Sequence, residues 1–259
     1  MSVKPLFAVL LMAATAAAQP SDPPPLVQLI ERPGIGGGSV RDYATVHADV
    51  DVLALTSMTG APKTWQIEMH SSFASIEALD RALVAAGYFK SSAPAPSETD
   101  LATAARALIG IYQPALSYRP KEAVALLPKA RYFHVSVFQI RPGSDADFAD
   151  LMRLRRQKMD SVNLDRPDLI YRVVSGSASS TYVVLAPMTS LKILDDGIAA
   201  LPAYAEAVAA AEAQAGKQTA AADLNRENLL FRVDPGQSYV SDDFAAADSG
   251  FWRPKAQAR

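Results

Sequence analysis

The segment "IERPGIGGGSVRDYATV" at residues 30–46 returns, shortened, as "IRPGSDADFADL" at 140–151. In both copies an apolar, strand-like run ends in Arg-Pro-Gly, at 32–34 and at 141–143. Each copy then reaches a serine with an aspartate three residues on, Ser39 with Asp42 and Ser144 with Asp147. That spacing suits a helix N-cap with an acidic partner in the first turn. The residues that follow also correspond, Tyr43 and Val46 against Phe148 and Leu151. The copies differ by one insertion, Ile35 to Gly38, so the glycines lengthen a strand-to-helix turn that the second copy makes without them. A phosphate loop would need Lys-Ser or Lys-Thr after those glycines, and a dinucleotide site needs G-x-G-x-x-G in a parallel unit. Neither is present, and the glycines read as a turn.

Two further landmarks recur in the same order. "TWQIEMH" from Thr64 leads to Ser72-Phe73 and an apolar helix, and "TYVVLAP" from Thr181 leads to Ser190-Leu191 and another. "YQPALSY" at 112–118 closes the first half, and "VDPGQSY" at 233–239 closes the second. A chain carrying three ordered landmarks twice is a duplication. Each half then reads β-α-β-β-α-β. Strands are expected near 26–32, 51–57, 64–70 and 108–113, then near 132–140, 168–175, 180–186 and 229–234. Helices are expected near 39–49, 73–86, 100–107, 144–162 and 190–215, with a short one at Lys121-Leu127 between the halves.

With 259 residues, 49% of them hydrophobic, the chain can bury a sizeable core. Its net charge of −2 gives no electrostatic footprint for nucleic acid or an anionic membrane. Residues 1–18 have the plan of a secretory signal peptide: Lys4, a short apolar run from Leu6 to Met12, and an Ala-x-Ala end. Cleavage after Ala18 would leave Gln19 at the new terminus and a periplasmic or secreted protein with no membrane attachment. There are no cysteines, so disulfides, thiolate metal sites and a thiol nucleophile are excluded. The expected organisation is a leader at 1–18, a first half at 19–118 and a linker at 119–130. A second half at 131–240 and a tail at 241–259 complete it.

A β-α-β-β-α-β unit has ferredoxin-like topology. "YFHVSVFQIRPGSDADFADL", "TWQIEMHSSFASIEAL" and "TYVVLAPMTSL", in their order, make the chain resemble the dimeric α+β barrel superfamily. That superfamily includes antibiotic-biosynthesis-type monooxygenases and NIPSNAP-like proteins. The resemblance implies two ferredoxin-like halves closing a pseudo-dimeric α+β barrel within one chain. Its cofactor-free oxygenases use Asn, Trp and His together. Here Trp65 and His70 alternate to opposite faces of their strand, and no Asn lies on 26–32. Its haem-binding members use a helical His, for which only His47 qualifies.

Strand alternation separates an apolar set, Phe133, Val135 and Val137 with Trp65, Ile67, Met69, Leu229, Phe231 and Val233, from a mixed set. Assigning the apolar set to the helices turns the mixed set inward. The interior is then either a partly polar pocket lined by Glu68, His70, Tyr112, His134 and Arg232, or a layer in which these residues satisfy one another between packed sheets. Glu68 and His70, two apart on one face, could act as an acid–base pair. They fall short of the three ligands a metal site needs, and no cofactor is identified. Arg153, Arg155, Arg156 and Lys158 read as a solvated helix face. These features favour an exported small-molecule-binding barrel, monomeric or homodimeric, with no complete catalytic set. Alternatives are an oxygenase-type enzyme, cofactor-independent or haem-using, and an interaction module presenting Trp252 in its tail.

Overall fold

The structure is a computed structural model and describes residues 22–33, 46, 49–87, 106–177, 180–215 and 223–253. The described residues form eight strands: β1 (Leu26–Pro33), β2 (Asp51–Ser57), β3 (Lys63–His70), β4 (Arg106–Tyr112), β5 (Tyr132–Ile140), β6 (Leu169–Ser175), β7 (Ser180–Met188) and β8 (Asp223–Val233). Helices among the described residues are α1 (Phe73–Ala85), α2 (Pro120–Leu126), α3 (Asp145–Ser161), α4 (Lys192–Ala215), α5 (Asp242–Ala246) and α6 (Ser249–Trp252). The helix expected at 39–49 lies largely outside the described residues. Of the one expected at 100–107, Arg106 and Ala107 are the start of β4.

All strand pairs are antiparallel, and the order β1-β3-β2-β8-β5-β7-β6-β4 returns to β1, so the sheet is a closed barrel. Within residues 26–112 the order is β4-β1-β3-β2, and within 132–233 it is β8-β5-β7-β6. Both are fourth-first-third-second, the same arrangement twice. The halves meet along two seams, β2–β8 and β4–β6.

The repeated Ser-Tyr landmark makes those seams. Beyond β4, Ser117 Oγ accepts from the Ile170 amide of β6 at 2.9 Å and donates to the Gln113 carbonyl at 2.9 Å. Beyond β8, Ser238 Oγ accepts from the Ala54 amide of β2 at 2.9 Å and donates to the Asp234 carbonyl at 2.6 Å. Tyr118 then bridges to Asp168, as Tyr239 bridges to Val52. The end of each half is thus tied by one hydroxyl to the second strand of the other. At the β4–β6 seam a Cβ on Gly110 would sit 2.9 Å from the Tyr171 Cβ, so this close approach requires glycine.

The interior is the reverse of the sequence expectation. Val27, Leu53, Trp65, Leu108, Phe133, Leu169, Val183 and Phe231, one from each strand, belong to a single buried cluster, which only the barrel interior can hold. Phe133, Val135, Trp65, Ile67, Leu229, Phe231 and Val233 therefore point inward. His134, Ser136, Gln66, Glu68, His70, Leu230 and Arg232, at the alternate positions, lie on the outer face. Alternation sorts residues into two sets without saying which set is enclosed. The enclosed face of this barrel is filled by side chains that meet no water, so the uniformly apolar set goes inside.

Outside the barrel, Phe138 and Ile140 pack with Phe148 and Met152 of α3, and Val52 packs with Leu79 of α1. One barrel end is covered by the linker and tail: Val124, Leu127, Phe244 and Trp252 join the interior cluster. Trp252 is buried, with its indole N–H donating to the Pro128 carbonyl at 2.6 Å, so it is not presented to a partner. At the other end the Lys63 ammonium lies 3.1 Å from Glu31 and 2.9 Å from Glu227.

Two local expectations are also revised. Ser144 makes no side-chain cap to α3, whereas Ser72 does cap α1 through the Ser75 amide. Trp65 and Tyr182, matched as landmarks, face opposite ways, Trp65 inward and Tyr182 toward α3. The two matched strand starts are out of step by one residue, which swaps the faces.

Candidate functional site

Because Phe133 and Val135 fill the barrel, His134 is turned out beneath α3 and α4. There the outer face of β5, β7 and β8 and the two helices enclose a cleft of about 450 Å³. Its polar lining is His134, Ser136, Arg155, Arg166 and Arg226, and its apolar walls include Phe138, Met159 and Val184. Ile198 and Leu201 of α4 also line it and are largely exposed, which puts apolar surface at its mouth. Among the described lining residues three are arginines and none carries a carboxylate.

Arg155, Arg226 and Ser136 are held by identifiable neighbours. Arg155 Nη1 lies 2.7 Å from Asp168 Oδ2, a carboxylate with no solvent exposure. Asp168 Oδ1 also accepts from the Tyr118 amide at 3.1 Å, which links the cleft to the β4–β6 seam. The Arg226 guanidinium stands over the Phe138 ring, 4.8 Å from its centroid. Ser136 Oγ donates to Asn228 Oδ1 at 2.7 Å. Burial, followed by the positive charges of Arg166, Arg155 and Arg226, lowers the His134 pKa to about 4. His134 is therefore a neutral ring at neutral pH, able to donate at one nitrogen and accept at the other.

The five residues expected to share one pocket are distributed over the molecule. His134 alone of them lines the cleft. Glu68 and His70 lie on β3 in the other half, with His70 Nε2 3.2 Å from Glu68 Oε2. Tyr112 points into the barrel, its ring 5.7 Å from that of Tyr171. Arg232 is exposed on the outer face. His47 lies outside the described residues. The sequence reading passed over Arg166 and Arg226 and placed Arg155 on a solvated face. Arg155 follows Met152 at three residues and precedes Met159 at four, so helical spacing sets it beside the buried stripe of α3. That spacing was the available signal.

No protein-family model matches the chain, and no curated protein matches it in sequence. Among solved structures it is similar to an anthrone oxidase-like protein, with a TM-score of 0.48 and 11% identity over 81% of this chain and 91% of that one. It is also similar to a candidate monooxygenase from Fusobacterium nucleatum subsp. nucleatum ATCC 25586, with a TM-score of 0.46, 8% identity and coverage of 82% and 93%. A third is a mutant chlorite dismutase from Candidatus Nitrospira defluvii in complex with cyanide, with a TM-score of 0.45, 10% identity and coverage of 86% and 94%.

The depressed His134 pKa has a sign that can be measured. Between pH 6.5 and about 4 the unfolded chain carries a proton on this ring that the native chain lacks. Native stability attributable to His134 is therefore present above pH 6.5 and is lost as pH falls toward 4. Urea unfolding at pH 7.5 and pH 5 is expected to show a smaller acid loss in His134→Gln than in the parent. Equal losses would contradict the assignment.

Proposed function

We propose that this is an exported protein of two tandem ferredoxin-like halves that binds a small amphipathic anion in the cleft beneath α3 and α4. The observation carrying the reading is three guanidinium groups, of which Arg155 is already paired with the buried Asp168, and a neutral imidazole around apolar walls, with no carboxylate among the described lining residues. A carboxylate bound there gains charge-assisted hydrogen bonds, while the body of the ligand lies against Phe138, Met159 and Val184. The identical strand order of the two halves supports the tandem description, as does the β5-α3-β6-β7-α4-β8 order of the second. Lys4, the apolar run to Met12 and the alanines to Ala18 support export. N-terminal sequencing of the exported protein should begin at or near Gln19. Recovery of a form that retains Met1 would overturn that part.

The binding reading predicts that 2-naphthoate binds at least about tenfold more tightly than the matching uncharged alcohol, a difference of about 1.4 kcal/mol. Calorimetric titration measures it. Arg226→Gln, at an exposed position, should bring the acid toward the affinity of the alcohol. A bound anion also favours the protonated His134, so affinity should rise as pH falls from 6.5 to 5, and His134→Gln should flatten that rise. Equal affinities for acid and alcohol would refute the reading. So would a Soret absorption band in the purified protein that disappears with His134→Gln, because it would put haem in the cleft.

A further inference from the structure

The outer face of β3 and the first turn of α1 bring together a hydroxyl, an imidazole and a carboxylate. His70 Nδ1 lies 3.0 Å from Ser75 Oγ, and His70 Nε2 lies 3.2 Å from Glu68 Oε2. The His70 side chain is fully buried, and Glu68 is nearly so. One neutral tautomer satisfies both contacts. With the hydrogen on Nε2, the ring donates to the Glu68 carboxylate and leaves Nδ1 to accept the Ser75 proton. That is the order hydroxyl, base, orienting acid that activates a serine.

The local sequence explains the arrangement. Alternation on β3 puts Glu68 and His70 on one face, and the Ser71-Ser72 turn starts α1 two residues later. Ser72 caps the helix by accepting from the Ser75 amide at 3.2 Å, which fixes Ser75 in the first turn above His70. Unlike its two partners, Ser75 is only half-buried. It lines a cavity of about 320 Å³ together with Ser71 and, one and two helical turns along, Leu79 and Ala82.

We infer that Ser75, His70 and Glu68 form a second, acyl-transfer site in the first half, with Ser75 as nucleophile and a small uncharged carboxylic ester as substrate. Val50, Ala78, Leu79 and Ala82 make its walls apolar, and Asp49 beside them disfavours an anionic acyl group. Ser75 Oγ bonds to the acyl carbon as its proton passes to His70 Nδ1. The carbon–oxygen bond to the leaving alcohol breaks as His70 returns the proton to that oxygen. Water then attacks the acyl-serine with His70 as base, releases the carboxylic acid and restores the Ser75 hydroxyl. Glu68 is a positioning residue that holds the tautomer. The inference is independent of the anion cleft, which lies in the other half.

A fluorophosphonate probe applied to the whole folded protein, followed by peptide mapping, tests it. Covalent labelling is expected at Ser75, with hydrolysis of p-nitrophenyl acetate. Ser75→Ala should abolish the label, and His70→Gln should slow it at least about 100-fold. Glu68→Gln should slow it as well, and Glu68→Asp should partly restore it. Ser75→Ala removes one hydroxyl from a half-buried helix position, and its unfolding midpoint verifies that it folds. If His70→Gln fails to fold, Ser75→Cys replaces it, with rapid alkylation of the new thiol by iodoacetamide as the expected result. No label on the native protein, under conditions that label a serine esterase control, would overturn the inference. So would labelling spread over serines and unchanged by Ser75→Ala, or a Ser75→Cys thiol no faster than free cysteine.

Discussion

Closure of the eight-stranded sheet within one chain is the constraint from which the rest follows. An antiparallel sheet has two edges, and each half alone would leave the outer edges of its second and fourth strands without partners. Pairing β2 with β8 and β4 with β6 removes all four edges at once. The two seams are made alike: Ser117 and Ser238 each leave the end of one half to accept an amide from the second strand of the other. Gly110 lets β4 and β6 approach where any side chain would meet the Tyr171 Cβ.

Once the barrel closes, its interior is committed to packing. Trp65, Tyr171, Phe133 and Phe231 are all essentially inaccessible to solvent, and the linker and tail cover one end with Leu127, Phe244 and Trp252. Polar clusters consequently lie on the outer face, in the spaces that helices roof over. The two halves use that space differently. Beneath α3 and α4, Arg155, Arg166 and Arg226 surround a His134 kept neutral by burial and by their charge. Beneath α1, Glu68 and His70 are paired out of solvent, and their chain of hydrogen bonds ends at the half-buried Ser75. The two halves share one strand order, and their outer faces carry unlike side-chain clusters.

Much of the frame was legible in the sequence. The strands of the second half and the short linker helix follow from alternation, turn residues and spacing, and of the repeat landmarks the Ser-Tyr pair proved equivalent in position and in bonding. The partition of β5 into Phe133, Val135 and Val137 against His134 and Ser136 was also correct. Its assignment was reversed, because period-two alternation carries no sign and the apolar set was given to the helices. The landmark match of Trp65 with Tyr182 failed for a related reason: residue type was conserved across a one-residue slip that swaps the faces. Arg226 was missed since nothing local reveals that β8 begins at Asp223, well before the expected 229. Arg155 was hidden among neighbouring charges; its spacing from Met152 and Met159 is shared with Arg156, and its pairing with the buried Asp168 separates the two.

Equilibrium unfolding of the whole chain in urea, followed by tryptophan fluorescence and far-UV circular dichroism, tests closure most directly when Ser117→Ala and Ser238→Ala are compared with the parent. Each substitution leaves a buried strand amide without its acceptor, at a cost of about 1–3 kcal/mol. Closure within one chain predicts a single transition, coincident by both probes, whose midpoint falls with either substitution. Two separable transitions, with each substitution shifting only one of them, would show that the halves fold independently and would contradict the account.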